Sequence, residues 1–85
     1  MTKGKVALIR EQGQTFAVLL VKDHVLLNPS LRDSMLHFGQ REFGVRTALL
    51  GEGGQTWGPD DIVRWLGSVY VEQLPWRDFT YRQAA

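Results

Sequence analysis

His24 and His37 are the only histidines in the chain, and there is no cysteine. Histidine is the side chain best suited to proton transfer near neutral pH, so these two positions are where acid–base chemistry would start. His37 stands four residues after Asp33 on one predicted helical face, a spacing at which an Asp–His pair can form. Catalysis or metal binding needs a third group, and the nearby sequence offers only Gln40 and Arg41. A solvated surface pair accounts for the spacing better. Asp23–His24 closes a predicted strand and would sit at a sheet end. Ser30 and Ser34 have no nucleophile context, and Ser30 is explained as helix-start chemistry. Without cysteine, thiol catalysis, disulfides, Fe–S clusters and Cys-based zinc sites are excluded. The chain is expected to be non-enzymatic, with no cofactor and no metal site.

The stretch Gly51-Glu52-Gly53-Gly54 invites comparison with a phosphate cradle. A P-loop needs Lys-Ser/Thr after its last glycine, and a dinucleotide loop needs three spaced glycines between strand and helix. Neither pattern is present, Glu52 would repel phosphate, and a hairpin turn is the expected role. Amides at Asp60 and Asp61 open a predicted helix, but their own carboxylates occupy that field.

Two aromatic and arginine groupings remain as binding candidates. Trp76, Arg77, Phe79, Tyr81 and Arg82 fall within seven residues, a composition enriched at protein interfaces and suited to stacking on bases. The alternative is a ligand pocket near the second hairpin and second helix, built around Trp57, Arg64 and Trp65, for a small ligand or nucleotide. Net charge is +1, from 10 basic and 9 acidic residues, which gives no field for broad attraction to nucleic acid. A protein partner is favoured over nucleic acid. The first reading is a small interaction module that binds another macromolecule.

The elements that must position these residues follow from apolar patterning. One echo stands out. Residues 7–17 (ALIREQGQTFA) and 48–58 (ALLGEGGQTWG) share six of eleven positions at an offset of 41. Each reads as a strand end, a polar turn and an aromatic opening the next element. This suggests an internal ββα repeat with halves at 4–44 and 45–82. If the repeat is real, Glu11 and Glu52 could form a symmetric carboxylate pair; the simpler account is that polar turns favour glutamate.

Lys5–Arg10 and Thr15–Val21 read as a hairpin turning through Gly13. Asn28-Pro29-Ser30 starts a helix that ends near Phe43, with Gly44 as its C-cap. Leu31, Met35 and Phe38 form one apolar stripe and Leu36 and Phe43 a second, with Asp33, His37, Gln40 and Arg41 facing water. Gly39 lies between the stripes, where it would permit close approach to the sheet or to a partner backbone. Val45–Leu50 is a third strand and Thr56–Trp57 a short fourth, cut off by Gly58-Pro59. A second helix opens at Pro59, Asp60 and Asp61, and a last edge strand covers 78–82.

The order β-β-α-β-β-α-β predicts one small two-layer α+β domain, with a mainly antiparallel sheet of four to five strands and two helices on one face. A reduced thioredoxin-like core is the alternative. Thr15–Val21 is apolar without alternation, which implies cover on both faces. With both helices on one side, a second subunit or the C-terminal segment must cover the other, so a homodimer is expected. The longest apolar run, Phe16–Val21, is too short to span a bilayer, and the opening segment is too short for a signal sequence. A soluble cytoplasmic chain is the expectation.

Overall fold

The computed structural model describes residues 2–81, with side chains over 4–80. Five strands and three helices form an α+β domain around a mixed sheet. The strands are β1 (Thr2–Glu11), β2 (Gln14–Val21), β3 (Arg46–Gly51), β4 (Thr56–Trp57) and β5 (Trp76–Tyr81). The helices are α1 (Asp23–Leu27), α2 (Pro29–Phe43) and α3 (Asp60–Leu66), followed by a 3-10 turn at Val71–Gln73. The sheet order is β4-β3-β2-β1-β5. β1 pairs antiparallel with β2 and β5, as β3 does with β4, so the sheet is mainly antiparallel. β2 and β3 are parallel, because the chain between them crosses over through α1 and α2.

Local chemistry sets the boundaries. The Asn28 side chain accepts hydrogen bonds from the amides of Ser30 (3.0 Å) and Leu31 (3.2 Å), and Pro29 opens α2. Gly44 closes α2 in the left-handed region at φ 68°. Gln12 and Gly13 turn the first hairpin with φ of 52° and 79°. Positive φ at both central residues is the type I′ requirement, which glycine meets freely and glutamine meets under strain.

Side chains of β2 alternate between two cores. Phe16 and Val18 join Ala7, Ile9, Ala48 and Leu50 beneath Ile62 and Leu66 of α3. Ala17, Leu19 and Val21 join Val6, Leu26 and Leu49, with Met35, Leu36, Phe38 and Phe43 of α2 packed against them. The helices therefore lie on opposite faces of the sheet, giving three layers rather than the expected two. A parallel β2–β3 crossover puts α2 on one face, and the short β4 returns the chain to the other. The continuous apolar run of β2 is thereby covered on both faces within one chain, by α2 and by α3 with the segment after it. The face that a second subunit was expected to cover is already filled.

Gly39 is buried and faces the sheet; a Cβ built there would lie 2.5 Å from Thr47 Cγ2 and 3.1 Å from Leu19 Cδ1. The close approach anticipated for this glycine is thus to β3 and β2. The thioredoxin-like alternative is not realised, since the strands ahead of α2 form a hairpin where that core has a first βαβ unit.

The echo at 7–17 and 48–58 does form two hairpins, but their registers differ. In the first, Ile9 pairs with Phe16. In the second, Leu50 pairs with Thr56 and Leu49 with Trp57. A one-residue shift sends a side chain to the other face. Phe16 accordingly packs under α3, while Trp57 lies on the α2 side. The helices that follow the hairpins also take opposite faces, so structural correspondence stops at the hairpins.

Candidate functional site

The histidines are not assembled into a site. His24 lies in α1 and His37 on the wet face of α2, and both are exposed. Asp33 and His37 form no ion pair. Among the described residues there is no group of three His, Asp or Glu side chains that could hold a metal ion. Asp23 has a structural task. Its carboxylate accepts the Gly53 amide at 2.9 Å and lies against Gly51 and Gly53, where a Cβ would meet it at 2.7 and 2.9 Å. The Gly51 amide donates to Gln55 O (2.7 Å) and the Glu52 amide to Val21 O (3.2 Å). The cradle suggested by the glycines is therefore filled by the protein's own carboxylate and carbonyls. Glu52 pairs with Lys22 at 3.0 Å, at the far end of β2 from Glu11, so the two glutamates do not meet.

The C-terminal grouping is divided by the pleat of β5. Trp76 sits opposite Ala7 and packs into the core under α3, its indole N–H donating to Val71 O at 2.7 Å. Phe79 lies on the other face, stacked on Phe38 (centroids 5.8 Å) and edge-on to Phe43 (5.8 Å). Arg77 is exposed on the edge strand. Arg82 and the Tyr81 side chain lie outside the described residues. The described aromatics of this group are thus spent on two separate cores.

The ligand-pocket trio is divided as well. Arg64 and Trp65 line an open cleft of about 410 Å³ between α3 and the first hairpin, whereas Trp57 is on the opposite face of the sheet. Phe16, Ile62 and Trp65 form the floor, with Phe16 edge-on to Trp65 at 5.3 Å. Glu11, Gln12, Gln14, Asp61, Arg64 and Ser68 form the rim. Arg46, at the start of β3, ties two of these rim residues together. Its guanidinium donates to both Asp61 oxygens (2.6 and 2.9 Å) and to Gln14 Oε1 (3.0 Å). These hydrogen bonds, aided by the Arg46 charge, hold the Asp61 carboxyl below the usual carboxylate range and raise Arg46 in turn.

A second surface lies on the α2 side. The Arg32 guanidinium stacks 3.7 Å from the Trp57 ring centroid and donates from Nη1 to Leu26 O at 3.1 Å. Trp57 is 43% exposed, and Leu27, next to the residue whose carbonyl holds Arg32, is 75% exposed. Arg32 has no carboxylate within ion-pair distance among the described residues, and its buried Nε meets no acceptor there. A guanidinium over a half-exposed indole with no carboxylate beside it can receive an anion next to an apolar group. Sequence reasoning passed over Arg32 and Leu27. They stand 25 and 30 residues from Trp57, and only the crossover and β4 bring Arg32 and Trp57 together.

No protein-family model, no curated protein and no solved structure matches this chain. Among the described residues no helix is long and apolar enough to cross a membrane.

Proposed function

We propose that the protein is a small non-enzymatic interaction module whose aromatic/arginine surface is Arg32, Trp57 and Leu27, rather than the C-terminal strand. The observation that carries this reading is Arg32 held over a half-exposed indole without an acidic partner. The occupant that suits it is a protein segment with an Asp or Glu beside a large apolar residue. The carboxylate would meet the guanidinium, and the apolar side chain would cover Trp57 and Leu27. The rigid stacked arginine loses little freedom on binding, the condition under which arginine and tryptophan become interface hot spots. The homodimer expected from the sequence has lost its original support, since β2 is covered within the chain.

Selection from a random peptide library tests the proposal. Enriched peptides are expected to carry an acid within a few residues of a large apolar side chain. Arg32→Ala is expected to weaken them roughly tenfold or more, in the range of hot-spot truncations. Peptides without acids, or binding indifferent to Arg32→Ala, would refute it. A second reading, a small-ligand protein, draws on the Phe16–Trp65 cleft, whose volume falls within the ordinary range for ligand sites.

A further inference from the structure

The rim of the Phe16–Trp65 cleft contains more polar groups than it has available for a ligand. Asp61 is held through both oxygens by Arg46, and the same guanidinium takes Gln14 Oε1. The Ser68 hydroxyl donates to Trp65 O at 2.7 Å. Subtracting these leaves Glu11 and Gln12 on the hairpin wall and Arg64 on the helix wall. Neither Glu11 nor Arg64 forms an ion pair among the described residues. The Asp61–Arg46 pair cancels its own charge, so the cleft presents one free anion and one free cation from opposite walls, above an aromatic floor.

That arrangement discriminates by charge type. A singly charged ligand gains at one wall and is opposed at the other. A neutral apolar ligand gains only from the floor. A molecule carrying both an ammonium and a carboxylate gains at both walls, and an apolar body of modest size covers Phe16, Ile62 and Trp65. We infer that the cleft between the first hairpin and α3 binds a zwitterion with an apolar body, the chemistry of a free aromatic amino acid. This rests on the small-ligand reading of the cleft.

The test titrates the intact protein with four probes of one shape: L-phenylalanine, its N-acetyl amide, phenethylamine and 3-phenylpropionate. The indole N–H resonance of Trp65 reports occupancy. L-phenylalanine is expected to bind more tightly than each of the other three, by roughly two- to fivefold, the scale of one solvent-exposed ion pair. Arg64→Gln should erase its advantage over phenethylamine, and Glu11→Gln its advantage over 3-phenylpropionate. Both side chains are exposed, so folding is not at stake. If a neutral or singly charged probe moves Trp65 at equal or lower concentration, the cleft is a ligand site and the zwitterion inference fails. If no probe moves Trp65, the ligand reading falls with it.

Discussion

Gly39→Ala puts the packing of α2 on the sheet to a quantitative test. Considered as a helix position alone, the substitution would stabilise by about 1 kcal/mol. The structure reverses that sign. The new methyl would lie 2.5 Å from Thr47 Cγ2, 2.8 Å from Thr47 Oγ1 and 3.1 Å from Leu19 Cδ1. Thr47 cannot turn aside easily, because it is fully buried and its hydroxyl donates to Val45 O at 3.1 Å. Forcing a methyl into a filled core costs about 1–3 kcal/mol, and a 2.5 Å contact with a fixed side chain puts this site in the upper half of that range, at about 2–3 kcal/mol; less the helix gain of about 1, the net expectation is about 1–2 kcal/mol of destabilisation. For a domain of this size that is a melting temperature lower by about 4–16 °C. Thermal and urea unfolding followed by circular dichroism measure it. Thr47→Ala removes both nearest atoms, so the double variant should recover part of the loss and show coupling of about 1 kcal/mol. A Gly39→Ala protein as stable as the parent, or more stable, would refute the close approach of α2 to β3.

Two further perturbations follow from local geometry. Gln12 occupies the left-handed region, so Gln12→Asn should stabilise by about 0.5–1 kcal/mol in urea titration, and a loss would contradict the type I′ turn. The lowered Asp61 carboxyl contributes stability that is present above its unfolded-state pKa and is lost as pH falls through the lower folded value, below about pH 4. An NMR titration of the Asp61 side chain should show protonation below the ordinary range in low salt. High salt or Arg46→Gln should move it back up, and an unshifted Asp61 in low salt would break the assignment of the pair.

Much of the fold is legible in residue order. Asn28-Pro29 and Gly44 delimit α2 because capping is local chemistry. Gly58-Pro59 stops β4 and Gly67 follows α3 for the same reason. The non-alternating run of β2 correctly implies cover on both faces. What covers it is not legible, because the face taken by each helix depends on strand pairing across the crossover. The groupings read from sequence are divided at the same point. Trp76 and Phe79 are three residues apart on a strand, so the pleat separates them. Trp57 and Trp65 are parted by a single-residue difference in hairpin register. Arg32 and Trp57 meet only in three dimensions, and Arg64 with Trp65 was found because both lie on one short helix.

The indole N–H resonances of Trp57, Trp65 and Trp76 can locate the interaction surface in a single spectrum. An acidic–apolar peptide selected by binding to the protein is added to the labelled chain. The Trp57 indole and Arg32 Nε–H signals are expected to shift together, while Trp76, hydrogen-bonded to Val71 O in the opposite core, stays in place. A peptide that binds and shifts Trp65 or Trp76 while leaving Trp57 unmoved would contradict the assignment of the Arg32–Trp57 surface as the interaction site.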